Sequence, residues 1–292
     1  MRPIFLSVLL CAAASGQEAD TLRADDGWRS SLVASLAGSQ STFSNWQEGG
    51  VDALALTSSI DGAFDRVFGN VLTTQQLRLA LGILQQDTLE TRKALDVIRY
   101  VVTAERSSDN PLRPAGSFSL RTQFAPGFDY DPGADEYPSL TVVPGEELKV
   151  SDAFSPLILS QTVGVAYRPG GGFVARAGLG AKETIVSIER LRPVYGNELD
   201  ESIRFEAGLD AEVALDREVL PNVTLRSTLA AFQAFDQFGE TPDLRFENVL
   251  LMKVNEVLNV TLNADALFDA DVSDDLQLRQ VLAVGLSLAL IE

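Results

Sequence analysis

Alternation of apolar and polar positions is the dominant pattern of this sequence, and it is clearest at residues 203–215. Every odd position there is apolar, and every even position except Ala214 is charged or glycine. Because successive side chains of a β-strand point to opposite faces, this stretch predicts a strand with one apolar and one ionic face. Strands of soluble proteins usually run about five or six residues, whereas a tilted strand needs about 9–11 to cross a bilayer. The length of the alternation therefore favours a membrane strand.

Similar alternation recurs along the chain and predicts about twelve strands, an even number, as in bacterial single-chain barrels. The fourth stretch has the least regular pattern, since its parity is mixed around Arg99 and Tyr100. The predicted strands are residues 28–41, 53–64, 76–83, 94–103, 118–124, 157–167, 173–185, 203–215, 223–231, 244–254, 258–268 and 276–290.

The connections between these strands differ in length in a regular way. Those after the odd-numbered strands are mostly long, and residues 125–156 form an acidic segment rich in Pro and Gly that reads as a loop. Those after the sixth, eighth and tenth strands are tight, whereas the connection at about residues 105–116 is an exception. Long loops on the outer rim and short turns on the periplasmic rim are typical of outer-membrane proteins. We therefore predict an all-β fold, an antiparallel up-and-down transmembrane β-barrel, rather than a periplasmic all-β domain.

The N-terminus has the pattern of a secretory signal peptide. Arg2 precedes an apolar run that ends in the small residues Ala14, Ser15 and Gly16, and the run is too short for a membrane helix. We predict a signal peptide at residues 1–16, a periplasmic segment at 17–27 and the barrel at 28–292. Cleavage removes Cys11, the only cysteine, so disulfides and thiol chemistry are excluded. The sequence also has no histidine.

Charge and hydrophobicity narrow the possible partners. The chain has 23 Lys and Arg against 41 Asp and Glu, a net charge of −18, which disfavours nucleic acids and anionic membrane surfaces. Hydrophobic residues make up 46% of the sequence. Beyond the leader, however, no apolar run approaches the roughly 18 residues of a spanning helix. Such a composition indicates either a large soluble core or a membrane barrel.

Four short motifs carry a resemblance to a known family. The chain resembles the domain of unknown function 3078 family of bacterial envelope proteins, over the region from Gly27 to the C-terminus. The resemblance implies a β-barrel-like outer-membrane protein without an assigned biochemical role, and it transfers no functional residues. Similar proteins tend to end their last strand on an aromatic residue, whereas this sequence ends Leu290-Ile291-Glu292. The motifs are Gly27-Trp28, Ser44-Asn45-Trp46 with Gly49-Gly50, Thr122-Gln123-Phe124-Ala125-Pro126-Gly127-Phe128-Asp129-Tyr130, and Asn222-Val223-Thr224-Leu225.

The residue types available leave little room for enzyme chemistry. Without histidine, a Ser–His or Asp–His arrangement is excluded, and so is a zinc site built from His and Cys. Glu206 and Asp210 share a strand face and could act as acid and base, but paired charges inside the barrel are the favoured interpretation. We predict that the protein is not an enzyme and has no cofactor and no metal.

The acidic segment at residues 125–156 offers a second type of site. Clustered carboxylates could hold calcium, yet the spacing after Asp129-Tyr130-Asp131 does not continue as in a calcium loop, and a solvated face is favoured. An alternative function follows from this segment: a soluble or surface-bound all-β periplasmic protein that binds a partner through long acidic loops. The acids are Asp129, Asp131, Asp135, Glu136, Glu146, Glu147 and Asp152.

Charged positions on the polar face of the strands are the main candidate site. Charge facing lipid costs roughly 2–4 kcal/mol per Arg or Lys at the midplane, so these residues are expected to face the lumen. The leading interpretation is an outer-membrane barrel that is either a small-solute or ion pore or a structural barrel with a closed lumen. Expected partners are outer-membrane lipid, the envelope assembly machinery and small solutes. The predicted interior residues are Arg78, Arg121, Arg176, Lys182, Arg204, Arg226, Arg245, Lys253 and Arg279, with the acids Asp61, Glu206, Asp210, Glu212, Glu247 and Asp265.

Overall fold

The structure is a computed structural model that describes residues 28–42, 52–87, 89–106, 108–133, 136–137, 139–255 and 257–291. The predictions for the signal peptide, for residues 17–27, for Trp46 and for Asp135 lie outside these residues. Within the described ranges, no helix is long and apolar enough to cross a membrane.

The described chain forms a barrel of twelve antiparallel strands, which confirms the predicted fold class. Each strand pairs with its sequence neighbour, except that β5 pairs with β8, and the last strand closes the barrel on the first. At this closing seam, Leu36 lies opposite Leu286. The barrel strands are β1 (Trp28–Ser41), β2 (Ala53–Phe68), β3 (Val71–Gln86), β4 (Arg92–Arg106), β5 (Leu112–Thr122), β8 (Leu157–Gly170), β9 (Phe173–Ile185), β10 (Ile203–Leu220), β11 (Val223–Ala234), β12 (Asp243–Lys253), β13 (Leu258–Asp269) and β14 (Ser273–Ile291).

Several strands are longer than the alternation predicted, and this changes the connections. Since β4 ends at Arg106 and β5 begins at Leu112, the long connection predicted at residues 105–116 is wrong, and a short turn replaces it. Likewise, β13 and β14 are separated only by residues 270–272, a shorter loop than predicted. These strand ends project beyond the apolar zone, where neither face needs to be apolar and the alternation disappears.

Short and long connections are sorted onto opposite rims of the barrel. The short-turn rim carries the turns after β2, β4, β8, β10 and β12, while the long-loop rim carries the connections after β5 and β9. Gly171 and Asn222 lie in tight turns with φ of +67° and +63°, a conformation that glycine and asparagine adopt most readily. As in outer-membrane barrels generally, this asymmetry predicts that the short-turn rim faces the periplasm.

The connection after β5 contains regular structure, whereas the sequence predicted only a loop. It contains a two-stranded hairpin, β6 (Gly127–Asp129) and β7 (Leu148–Ser151). The start of the connection is fastened to β4, because the Asp96 carboxylate accepts hydrogen bonds from the backbone N–H groups of Phe124 (2.8 Å) and Ala125 (2.9 Å). Strands of three and four residues are too short for periodicity to reveal them.

A 3₁₀ helix, Glu189–Tyr195, forms the second large connection of the long-loop rim, between β9 and β10. Its Leu191 is fully buried. The helix contacts the hairpin through Tyr195, whose hydroxyl donates to the carbonyl oxygen of Val150 (3.0 Å). Burial raises the pKa of Tyr195 to about 12, so this donor keeps its proton at any physiological pH. Within the described residues, the two large connections of the long-loop rim are therefore folded and in contact with each other.

The outer face of the barrel is apolar and exposed. Val163, Leu278 and Leu288 are 75%, 74% and 63% exposed. At the short-turn rim, the Arg66 guanidinium lies over the rings of Trp28 (5.2 Å) and Phe68 (5.7 Å), an arrangement suited to a membrane interface. A closed barrel leaves no unpaired strand edge, and its apolar outer band requires a lipid environment. The predicted outer-membrane location is thus confirmed.

The orientation in the membrane gives a direct prediction. A protease site inserted at Gly145, which has open space around it, should be cleaved on intact cells, because it lies on the long-loop rim. The same insertion at Gly171, on the short-turn rim, should be cleaved only after the outer membrane is broken. Immunoblotting of both variants measures this, and cleavage at Gly171 alone on intact cells would reverse the topology.

Candidate functional site

One ion pair defines which face of the sheet is the inside. Arg99 Nη1 lies 2.9 Å from Glu247 Oε2. Arg99 is on β4 and Glu247 on β12, which are six positions apart in the ring of twelve strands and hence on opposite walls. Their contact crosses the interior, and both residues lie near the middle of their strands. The interior is bridged at about half its height.

Strand register extends this assignment around the barrel, since residues directly opposite on neighbouring strands point to the same face. Arg99 lies opposite both Arg78 and Arg121. The pairings between neighbouring strands place every predicted interior residue on the same face of the sheet as Arg99 and Glu247. The registers on the two sides of each strand agree on this assignment. That they line a water-filled lumen stays a prediction.

A buried cluster lies near the short-turn rim. Glu105 is 2% exposed, and its carboxylate accepts hydrogen bonds from Arg168 Nε (2.5 Å) and Arg168 Nη2 (2.8 Å). Arg176 Nη2 lies 3.1 Å from the same carboxylate, and Arg176 Nη1 lies 2.5 Å from Glu212. The cluster thus joins β4, β8, β9 and β10 from inside the barrel.

A second group of charges lies around the Arg99–Glu247 bridge and is more open to water. Arg279 pairs with Asp265 at 2.5 Å, and the Arg279 side chain is 53% exposed. Arg78 lies 3.7 Å from Asp61 and its side chain is 46% exposed. Arg245 also approaches Glu247, at 3.7 Å. The pairs on β3 and β14 therefore retain access to solvent.

A third cluster lies near the long-loop rim. Lys182 contacts Glu206 (3.0 Å) and Asp243 (2.6 Å), and Arg204 contacts Glu206 (2.9 Å) and Asp271 (2.8 Å). Burial opposes ionisation of Asp271, but the hydrogen bond and charge of Arg204 hold the pKa of that carboxyl below its usual value. Cations and acids alternate through these contacts, so the two cations offset two of the three negative charges that they touch.

Carboxylates converge at one point of this third cluster, where ligand oxygens of Asp243, Asp269 and Asp271 lie within 4.8 Å of one another. Lys182 and Arg204 already occupy two of these carboxylates, which makes the group part of an ion-pair network rather than a separate metal centre. Asp243 begins β12, whereas Asp269 and Asp271 lie at the connection between β13 and β14, so spacing along the sequence could not reveal this convergence.

Three of the acidic loop residues that were considered, and disfavoured, as calcium ligands have contacts within the loop instead. Asp129 accepts a hydrogen bond from the Tyr137 hydroxyl (3.0 Å), and Asp152 pairs with Lys149 (2.6 Å). The Glu136 carboxylate accepts from the backbone N–H of Gly133 (3.0 Å). These contacts order the loop itself.

Glu206 and Asp210 share the inner face of β10, as the alternation predicted, but they do not form a catalytic pair. Four residues along a strand separate them by about 13 Å. Glu206 is held by Lys182 and Arg204, while Asp210 accepts a hydrogen bond from Thr162. The two carboxyl groups are therefore too far apart to share a proton.

The remaining predicted residues lie toward the short-turn rim. Arg226 Nε contacts Asp216 at 3.0 Å, and Lys253 is exposed at the end of β12. Sequence reasoning missed Arg99, Glu105 and Arg168. Arg99 was hidden because the inner face of β4 also carries apolar residues, and the other two lie where strands were predicted to have ended.

Solved structures with a similar course of the chain are outer-membrane proteins. The translocator domain of autotransporter NalP from Neisseria meningitidis is 12% identical, with 91% of this chain and 89% of that chain covered and a TM-score of 0.38. The COG4313 outer membrane channel from Pseudomonas putida F1 is 8% identical, with 95% and 98% covered and a TM-score of 0.41.

The sequence similarity covers a shorter part of the chain than the structural similarity does. No curated protein matches this sequence. Two of the motifs that carried the predicted resemblance lie wholly or largely within residues 39–128. Those residues match the family described as Protein of unknown function (DUF3078), which confirms the predicted resemblance over this part of the chain.

Proposed function

We propose that the protein is a narrow channel for ions and small solutes across the outer membrane, and not an enzyme. This proposal rests on a difference between the two walls of the interior in the solvent exposure of their charged side chains. The side chains of Arg78 on β3 and Arg279 on β14 are 46% and 53% exposed. Those of Lys182 and Glu206, on the opposite wall, are only 11% and 5% exposed. Passage is therefore proposed along the first of these walls.

Short side chains support passage on that side. Between Arg279 and Arg78, the inner faces of β1 and β2 carry Ser39, Thr57 and Ser59. Such residues extend little into the interior. On the opposite wall, long ionic side chains that contact each other lie toward both rims. A path so placed would pass beside the Arg99–Glu247 bridge rather than through it.

A second candidate, a structural barrel with a closed lumen, is favoured by one specific observation. Glu105 is 2% exposed and Leu251, also on the inner face, is 3% exposed, so parts of the interior near the short-turn rim are packed. The two proposals differ in whether the refolded protein conducts.

Conductance measurements in planar bilayers distinguish the channel from the closed barrel. We expect a small ohmic current with weak anion preference, because charged rings select ions of the opposite sign. Changing Arg78 and Arg279 together to Glu should move the reversal potential toward cations. Arg217→Glu, on the outer face of β10, is the control and should leave selectivity unchanged. Complete absence of current in the wild type would favour the closed barrel.

A further inference from the structure

We propose that Arg78, Arg99 and Arg121 form a binding site for small solutes that carry carboxylate or phosphate groups. This site rests on the proposed function, since it would select among the solutes that enter the channel. The three residues lie on β3, β4 and β5 and are directly opposite one another in consecutive registers. We call them the arginine row.

The arginine row is an unfavourable arrangement without an anion. Residues directly opposite on neighbouring strands have Cβ atoms about 4.5–5.5 Å apart, and like charges at that distance destabilise a sheet. Alternating charges would avoid the repulsion, as Lys182 and Glu206 do at the same kind of cross-strand position elsewhere in the barrel. Three guanidinium groups in succession therefore call for an external counter-charge.

The protein supplies only part of that counter-charge. Arg78 has its nearest carboxylate, Asp61, at 3.7 Å, and Arg99 reaches Glu247 only across the interior. Among the residues that the structure describes, Arg121 has no ion pair and no side-chain hydrogen bond.

The carboxylates of the facing wall already form ion pairs with other arginines. Glu247 is shared with Arg245, and Asp265 is held by Arg279. Among the described residues, the ion pairs around the bridge therefore offer the three arginines of the row, together with Arg245 and Arg279, only the carboxylates of Asp61, Glu247 and Asp265. The local excess of charge is positive.

The arginine row is accessible as well as charged. The side chains of Arg78 and Arg99 are 46% and 39% exposed, and Arg121 is half-buried. A solute entering from the long-loop rim would meet these guanidinium groups at about half the height of the barrel. It would also meet the pair that bridges the interior.

The chemistry of guanidinium groups defines the class of ligand. Each presents a planar fork of N–H donors that matches the two oxygens of a carboxylate or phosphate. Adjacent forks favour an anion with several oxygens and more than one charge over chloride, which has no pair of acceptor atoms to match each fork. The predicted ligands are small organic di- or trianions.

Equilibrium dialysis of the refolded protein in a non-ionic detergent tests the site without requiring conduction. The probes are radiolabelled pyrophosphate and citrate, so that phosphate and carboxylate recognition are measured separately. We expect saturable binding that weakens with salt, and a loss of about tenfold or more in affinity in Arg121→Gln. Arg121→Lys, which keeps the charge without the fork, should bind with intermediate affinity. Lys253→Gln removes one positive charge elsewhere on the inner face and should bind like the wild type.

Thermal unfolding without ligand provides a second readout. Because Arg121→Gln relieves repulsion in the arginine row, it should unfold at a higher temperature than the wild type, whereas loss of a purely structural arginine would lower it. Absence of saturable binding of both probes, or equal weakening in Arg121→Gln and Lys253→Gln, would overturn the site. Binding by a protein that carries no current would retain the site and reject the channel. A conducting protein without binding would retain the channel and reject the site.

Discussion

Replacing Arg168 with methionine is expected to lower the free energy of unfolding by about 3 kcal/mol, because removing one partner of a buried ion pair leaves an uncompensated charge. Arg168 makes two contacts with the Glu105 carboxylate, at 2.5 and 2.8 Å. Glu105 is 2% exposed, so water cannot replace the lost partner. Arg176 remains 3.1 Å away and limits the loss. Urea unfolding in phospholipid vesicles, followed by tryptophan fluorescence, measures the change.

Two further variants separate burial from charge. Arg279→Met deletes a cation whose side chain is 53% exposed, and it should cost at most about 1 kcal/mol. Adding Glu105→Gln to Arg168→Met removes the stranded charge and should recover part of the stability. Equal losses in Arg168→Met and Arg279→Met would show that the short-turn cluster contributes no more than a surface pair.

Removing the bridge across the interior is expected to give the largest change in conductance. Glu247→Ala deletes the carboxylate that Arg99 reaches from the opposite wall, which frees Arg99 to fold back toward its own wall. In the proposed channel, the unobstructed cross-section at mid-height then increases, and single-channel conductance should rise severalfold. Anion preference should also increase, because one interior negative charge is lost while Arg99 remains.

The matched control is Glu212→Ala. It removes a carboxylate from the same inner face, but its contact with Arg176 joins adjacent strands and does not cross the interior. Its conductance should therefore stay close to that of the wild type. If Glu247→Ala conducts no better than Glu212→Ala, the bridge is not the narrowest point of the channel.

Most of the fold could be predicted because a membrane barrel imposes the same demand on every strand. Lipid on one side and ionic groups on the other give the alternation at residues 203–215, and the structure places β10 there with Ile203 as its first residue. The rims were predictable to the extent that tight turns require residues such as Gly171. Outside the apolar zone this demand ends, which explains why the ends of β5 and β14 were misplaced.

The contacts within the interior could not be predicted in the same way. Alternation shows that Glu247 faces inward, but its partner Arg99 depends on which strands lie opposite after closure. The convergence of Glu105, Arg168 and Arg176 likewise depends on register between strands, which local sequence does not encode. Like charges at Arg78, Arg99 and Arg121 even oppose the simplest rule for cross-strand pairs.

The seam between β1 and β14 also dictates the order in which the molecule can be assembled. It pairs residues from the two extremes of the sequence, such as Leu36 and Leu286, with a register shift between Leu32 and Val33. Until β14 is in place, both β1 and β13 present open edges, which are templates for pairing with other chains. Contacts of such long sequence separation also form slowly. A chain that lacks residues 273–291 is therefore expected to retain most of its strand pairings and yet to accumulate as aggregates, because completion of the ring waits for its last strand.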